Sequence, residues 1–218
     1  MTGYIKKLIA LSLSVLLLSS CTVLDKLGFD TYDYMGESVI STHAADSETA
    51  EMLLPLLSVL MTDSVVLAEF ENMGQAIDLY RDVVLSAMLK NGYSKYSGNK
   101  ELIDKASKAY PEYHITQIIP AEDFERTMYE AFGGDVKISH KSGSIFKYLR
   151  KVECYICNVS SKDSPVKPEI TSVEETPKTY RVRFRCVMDD AWGEEYFALI
   201  IKREDGTHYI KKLLSAAQ

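Results

Sequence analysis

The chain has 218 residues, a mean hydropathy of −0.09 and a formal net charge of −6, from 25 basic and 31 acidic side chains. The negative balance argues against nucleic acid as a partner and against a basic surface that adheres to anionic lipid. The length is enough for one large domain or two small ones with a real hydrophobic core.

The first 20 residues have the layout of an export signal. Lys6 and Lys7 precede an apolar run over 8–18, and small residues then lead to Cys21. A membrane-spanning helix needs about 20 apolar residues, so this run predicts a cleaved signal peptide instead. Removing the segment takes two lysines away, so the mature chain has a net charge of −8 instead of −6.

The sequence Leu18-Ser19-Ser20-Cys21 resembles the lipobox of bacterial lipoproteins. The resemblance implies that Cys21 becomes the mature N-terminus and carries a covalent diacylglycerol on its sulfur. Two acyl chains give stable attachment, so we expect an exported protein anchored to the outer face of the cytoplasmic membrane. Residues 21–33 would then form the lipidated cysteine and a short tether.

Helical periodicity dominates residues 34–134. Leucines at three- and four-residue spacing predict a helix that begins near Asp46 or Ser47, with Pro55 as a kink or a later start. After a break at 62–64, a second helix is predicted from 65 to 89, ended by Asn91-Gly92.

Two further helices have local start and stop signals. Asn99 would cap a short helix through Ala109, after a connection over 93–98. Pro120 at the first helical position predicts a helix through Phe132, ended by Gly133-Gly134.

The pattern changes to alternation after Gly134. Five strands are predicted, at 151–159, 169–174, 179–188, 194–202 and about 208–213. Helices followed by an antiparallel meander make an α+β fold, in which the helices pack on the apolar face of the sheet. We expect a single domain over 34–218, with a helical part at 34–134 and a sheet part at 135–218.

Strand 179–188 provides the best candidate binding surface. Its polar face would carry Arg181, Arg183 and Arg185, which could together meet a carboxylate or phosphate. The alternative, which we favour, is pairing of these arginines with acids on neighbouring strands, such as Glu174, Glu175 or Glu195.

Trp192 belongs to the same candidate surface. It lies in the predicted acidic turn after strand 179–188, where an exposed aromatic ring can serve recognition. The alternative is that the ring folds back on the rim of the sheet.

Three cysteines remain once Cys21 is assigned to the lipid: Cys154, Cys157 and Cys186. A C-x-x-C pair in a strand points to opposite faces, which disfavours redox pairing or joint metal binding at Cys154 and Cys157. We expect the thiols to pack as small apolar groups. A cross-strand disulfide from either of them to Cys186 stays open.

The sequence contains no recognisable catalytic, metal or cofactor motif. The four histidines, at 43, 114, 140 and 208, have no partners at metal-ligand spacing. Lys141-Ser142-Gly143 and residues 144–147 match the K-[ST]-G and S-x-x-K motifs of penicillin-binding enzymes. In those enzymes S-x-x-K comes first and an S-D-N motif is also present, whereas here the order is reversed and S-D-N is absent. We interpret the match as coincidence, and we expect no catalytic, metal or cofactor residues beyond the lipid on Cys21.

Two stretches resemble uncharacterised lipoproteins of anaerobic Gram-positive bacteria. They are Ile119–Phe124 continuing to Phe132-Gly133-Gly134, and Tyr196–Gly206. A helix followed by a curved meander is also similar to the nuclear transport factor 2-like cone fold. That fold serves isomerases, hydrolase accessories and binding domains, so the resemblance implies no single function.

Two functions follow from these observations. The first is a non-enzymatic, lipid-anchored module that binds a small-molecule, cell-wall or protein ligand. The alternative is a small cone-fold enzyme that uses a buried carboxylate and a tyrosine. A closed apolar pocket holding a carboxylate of raised pKa would favour the enzyme, and a filled core with only surface charge would favour binding or scaffolding.

Overall fold

The computed structural model describes residues 34–61, 65–134, 137–157, 165–189 and 191–216. The predicted signal peptide, Cys21 and the tether lie outside these ranges. Within them, no helix is both long and apolar enough to cross a membrane.

The described residues form five helices and eight strands. The helices are α1 Glu48–Ser58, α2 Met73–Asn91, α3 Tyr93–Gly98, α4 Lys100–Ala109 and α5 Ala121–Phe132. The strands are β1 Ser41–His43, β2 Ile118–Pro120, β3 Lys147–Leu149, β4 Cys154–Ile156, β5 Lys167–Glu175, β6 Thr179–Met188, β7 Ala191–Lys202 and β8 His208–Ser215.

Helix α1 begins where its capping residue predicts. The side-chain oxygen of Ser47 accepts a hydrogen bond from the backbone N–H of Ala50 at 3.2 Å. Pro55 lies inside the helix, so the alternative of a later start is wrong. Leu53 and Leu57 are buried on the inner face of the helix.

Helix α2 begins later than the periodicity predicts, and the expected start at residue 65 is wrong. Phe70 instead pairs with Leu213 of β8, through backbone hydrogen bonds of 2.9 and 2.8 Å. Asn72 then caps the helix by accepting from the N–H of Gln75 at 3.1 Å. A bridge to a distant strand therefore overrides the local helical pattern.

The other helices follow their local signals, with two differences. Asn99 caps α4 as predicted, accepting from the N–H of Leu102 at 3.2 Å. The predicted connection over 93–98 is wrong, because these residues form the short helix α3. Helix α5 ends at Phe132 as predicted, but Pro120 is its N-cap and not its first helical residue.

The main sheet has five antiparallel strands in the order β1-β5-β6-β7-β8. The predicted meander from β5 to β8 is confirmed. The short β1 extends the sheet at its outer edge, where Ser41 lies opposite Glu175.

A second, three-stranded antiparallel sheet has the order β2-β4-β3. The predicted strand over 151–159 is too long, because Lys151–Glu153 form a turn and β4 covers only Cys154–Ile156. Strands β1 and β2 also lie in the part that we predicted to be helical. The fold is nevertheless α+β, with helices in the N-terminal part and an antiparallel sheet in the C-terminal part.

Helices α1 and α5 pack on the apolar face of the main sheet, against β5 and β8, and α2 packs on α5, which encloses the main core. Tyr180, Val182, Phe184 and Cys186 alternate toward this core along β6, as predicted. Phe70 forms the centre of an aromatic group, with ring centroids 5.6 Å from Tyr80 and 5.5 Å from Phe132. A smaller apolar cluster joins α4 to the second sheet.

Candidate functional site

A cleft of about 990 Å³ lies beside α2, and we call it the α2 cleft. Its walls come from the end of α1, one face of α2, the segment 141–146 and the start of β5. This volume is in the range typical of small-molecule sites.

The wall of the cleft on α2 contains an apolar stripe between polar and charged side chains. Leu79, Val83 and Ala87 recur at four-residue spacing and therefore lie on one helix face. Ile145 lies on the opposite wall. The exposed fractions of Leu79 and Ile145 are 47% and 49%, so a ligand in the cleft would remove apolar surface from water.

The charged side chains of the cleft are mainly basic. Two acids, Asp78 and Asp82, line it together with four basic residues: Arg81, Lys90, Lys141 and Lys167. This local excess of positive charge contrasts with the net charge of −6 of the whole chain.

Arg81 is buried between the cleft and the protein interior, with an exposed fraction of 3%. Its Nη1 donates to the carbonyl oxygens of Ser139 and Lys141, both at 3.1 Å, and to the phenol oxygen of Tyr155 at 3.3 Å. Its Nη2 lies 3.5 Å from Oδ1 of Asp78, whose side chain is 59% exposed. Its Nε has no hydrogen-bond partner within the described ranges.

The second acid of the cleft fixes the facing segment. Oδ2 of Asp82 accepts hydrogen bonds from the N–H and Oγ of Ser144, both at 2.7 Å, and from the N–H of Ile145 at 3.0 Å. Ser144 lies in a bend, and Lys147 begins β3 with its Nζ 4.4 Å from the ring centroid of Tyr113. The two residues of the S-x-x-K match therefore serve separate structural contacts.

A chain of polar contacts runs behind Arg81. Nδ1 of His140 lies 2.9 Å from the hydroxyl of Tyr155, and its Nε2 lies 2.8 Å from Oε1 of Glu125. Because Arg81 already donates to the phenol oxygen, we assign the phenol O–H to Nδ1 and the ring N–H to Glu125. The four side chains thus form one chain of hydrogen bonds from Arg81 to Glu125, in which each side chain donates to the next.

Tyr155 at the middle of this chain is fully buried. Burial raises the pKa of Tyr155 to about 12, although the charge of Arg81 and its hydrogen bond act in the opposite direction. The phenol therefore stays protonated at neutral pH and keeps its place as a donor. The ring of His140 stacks on Tyr148 with centroids 4.9 Å apart, which fixes its orientation.

The sequence does not predict this cluster as a whole. His140 and Tyr155 come from separate segments, and nothing local to either predicts their contact. Arg81 does have a signal in the sequence, because it lies four residues after Ile77 and three before Val84, at the spacing that places all three on one face of a helix. A basic residue on that face indicates a buried partner.

The predicted arginine row does share one face of β6, and each member lies near a carboxylate. Arg181 is 3.8 Å from Glu174 and also donates to the carbonyl oxygens of Met35 and Glu37, at 2.7 and 2.8 Å. Arg183 and Arg185 lie 3.5 and 3.9 Å from oxygens of Glu195. The favoured alternative, cross-strand pairing with acids, is observed.

Trp192 lies on β7 and not in the predicted turn. Its side chain is 58% exposed, and its ring centroid is 5.8 Å from the guanidinium carbon of Arg185. Arg183, Arg185 and Trp192 therefore lie together on the polar face of the main sheet, outside the α2 cleft.

The three described cysteines are buried and form no disulfide with one another. Cys154 packs in the smaller apolar cluster, whereas Cys157 and Cys186 pack in the main core. Burial raises the pKa of Cys154 and of Cys186 to about 11. Separate packing of Cys154 and Cys157 agrees with the apolar interpretation, and a disulfide to Cys186 is not formed.

Among the described residues, no three His, Cys, Asp or Glu side chains lie close enough together to hold a metal ion. Comparisons with protein-family models, curated proteins and solved structures gave no match to this chain. The class of the protein is defined by its fold and its cleft: it is a mixed helix-and-sheet protein with a candidate binding cleft.

Proposed function

We propose that the protein is a lipid-anchored extracytoplasmic lipoprotein whose α+β domain binds a ligand in the α2 cleft. The signal segment and Cys21 support the anchor, because their order matches that of a lipobox. The cleft supports the binding role, since a concave site that combines apolar side chains with charged groups is suited to ligand recognition.

The filled core favours binding over the alternative enzyme. Large aromatic side chains occupy the space between helices and sheet, including Tyr80, Phe132, Phe184 and Tyr196. Within the described ranges, hydrogen bonds from neighbouring groups outweigh desolvation and lower the pKa of four carboxyl groups: Asp78, Asp123, Glu175 and Asp205. A general acid of the cone-fold type requires a shift in the opposite direction.

We also propose that the main sheet curves as in the nuclear transport factor 2-like cone and that the chain is related to the uncharacterised lipoproteins it resembles. Register shifts support the curvature, because irregular pairing bends strands and increases their twist. Such shifts occur between Ile170 and Ser172, between Arg185 and Val187, and between Leu199 and Ile200.

Mass spectrometry of co-purified molecules tests the binding role. The full-length lipidated protein would be extracted from membranes beside two variants, Leu79→Asp and Met52→Asp. Both side chains lie on helices and are about half exposed, at 47% and 45%, but only Leu79 lines the cleft. We expect a ligand that is depleted from Leu79→Asp and retained by Met52→Asp. Identical contents in all three proteins would contradict a binding role for the cleft.

A further inference from the structure

We infer that the α2 cleft takes a ligand with one anionic group on an apolar body, of the aliphatic carboxylate class. The inference rests on the proposed binding role of the cleft. In this arrangement Arg81 supplies the charge that recognises the anion, and the α2 wall around Leu79 holds the apolar body.

The positive charge of Arg81 is incompletely paired. Its three close acceptors, two carbonyl oxygens and a phenol oxygen, carry no formal charge. The nearest carboxylate contact is the long one of 3.5 Å to the exposed Asp78. A buried charge is costly unless an opposite charge compensates it, and the guanidinium has one donor, Nε, without a partner in the described structure. Because Arg81 lines the cleft, an anion bound there would supply the missing opposite charge.

Two acids, Asp78 and Asp82, also line the cleft. Oδ2 of Asp82 accepts three hydrogen bonds from uncharged donors of the facing segment, and its buried Oδ1 has no hydrogen-bond partner among the described residues. The excess of four basic residues over two acids, and not neutralisation of Asp82, therefore makes the cleft favourable for an anion. Asp78 lies 2.5 Å from Nζ of Lys141, and their side chains are 59% and 55% exposed. An exposed ion pair contributes little to stability, so Lys141 can turn from Asp78 to a ligand at little cost.

The apolar side chains of the cleft would contact the apolar body of the ligand. The apolar residues Leu79, Val83 and Ile145 line the same cleft as Arg81. Half-exposed leucine and isoleucine side chains gain free energy when an aliphatic group covers them. A small inorganic anion would leave this surface in water, whereas an aliphatic carboxylate would cover it.

Two matched probe pairs test the charge. Octanoate and octanamide differ only in the head group, as do N-acetylleucine and N-acetylleucinamide. Each probe would be titrated calorimetrically into the full-length protein in lipid nanodiscs, with empty nanodiscs as the blank. We expect at least one carboxylate to bind ten or more times tighter than its amide. The tighter carboxylate identifies the source as a free fatty acid or as an acylated amino acid.

Variants locate the binding. Leu79→Asp should weaken the carboxylate at least tenfold, and Met52→Asp should leave its affinity unchanged. Arg81→Gln should abolish the preference for carboxylate over amide. Because Arg81 is buried, Lys141→Gln provides a second charge variant on an exposed side chain, and it should reduce the preference without changing the urea midpoint.

The outcomes separate this inference from the proposed function. Equal affinity for carboxylates and amides, or no binding of any of the four probes, would overturn the anionic class. A co-purified ligand lost from Leu79→Asp would still support the cleft as a binding site. Carboxylate binding that Leu79→Asp does not weaken would overturn the assignment to this cleft.

Discussion

Arg81 and Tyr155 connect the wall of the α2 cleft to the protein interior. Nη1 of Arg81 donates to the phenol oxygen across 3.3 Å, and the phenol lies 2.9 Å from Nδ1 of His140. The same guanidinium holds the carbonyl oxygens of Ser139 and Lys141, so it also positions the segment that faces α2. The geometry of the cleft therefore depends on a buried polar network.

Tyr155→Phe should destabilise the protein by about 1–3 kcal/mol. The substitution keeps the ring and removes only the hydroxyl, which leaves Nδ1 of the mostly buried His140 without its donor. The free energy of unfolding would be measured by urea denaturation. Tyr93→Phe is the matched control. Because Tyr93 is 58% exposed, this substitution should change the free energy of unfolding by no more than about 0.5 kcal/mol. Equal effects of the two substitutions would show that the network makes no net contribution.

The sequence predicts helix boundaries best where they depend on residues that are close together in the chain. The caps at Ser47 and Asn99 and the end of α5 at Phe132 all follow from local hydrogen bonding or backbone preference. The start of α2 did not follow, because the pairing of Phe70 with Leu213 depends on a distant strand.

The same distinction applies to the candidate site. The alternation along β6 predicted correctly that Arg181, Arg183 and Arg185 share a face. The contact between His140 and Tyr155 depends on tertiary packing, so no local spacing could reveal it. The short strands β1, β2 and β3 have three residues each, too few for alternation to distinguish them from a loop.

Gly133→Ala should be more damaging than Gly206→Ala. Both glycines have positive φ, +66° and +82°, which costs an alanine about 1–2 kcal/mol. At Gly133 the added Cβ would also come within 2.4 Å of the ring of Tyr209, whereas at Gly206 it meets no atom within 4 Å among the described residues. We expect a difference of at least about 1 kcal/mol in the free energy of unfolding. Equal losses would contradict the close packing of Gly133 on Tyr209.

Glu175→Gln should reduce stability at neutral pH and have no effect in acid. A hydrogen bond from Lys202, and then one from His43, lowers the pKa of Glu175 below its ordinary value of 4.5. A carboxyl with a depressed pKa stabilises the folded state fully above its unfolded pKa, and the contribution is lost as the pH falls through the folded pKa. The free energies of unfolding of wild type and variant should differ by at most about 1 kcal/mol at neutral pH. This difference should vanish at a pH below the pKa of Glu175 in the folded protein. A difference that does not change with pH would contradict the ion pair.

The three buried thiols should be unreactive in the native protein. A thiol reagent attacks the thiolate, and burial raises the pKa of Cys154 and Cys186 to about 11. We expect no labelling by a chromogenic disulfide at about pH 8 without denaturant, and labelling of three thiols in urea. Fewer than three thiols in urea without reductant would indicate a disulfide, and fast native labelling of Cys157 would contradict its burial.

Cys21→Ala should abolish both processing and lipid attachment. The sulfur of Cys21 is the proposed acylation site, so without it the chain should remain an unprocessed precursor that metabolic palmitate does not label. Cys186→Ala is the matched control, because this thiol is fully buried and should accept no acyl chain. Both variants would be expressed in a bacterial host and followed by gel mobility and radiolabel. Wild-type labelling and mobility in Cys21→Ala would overturn the lipobox interpretation and, with it, the proposed location at the outer face of the membrane.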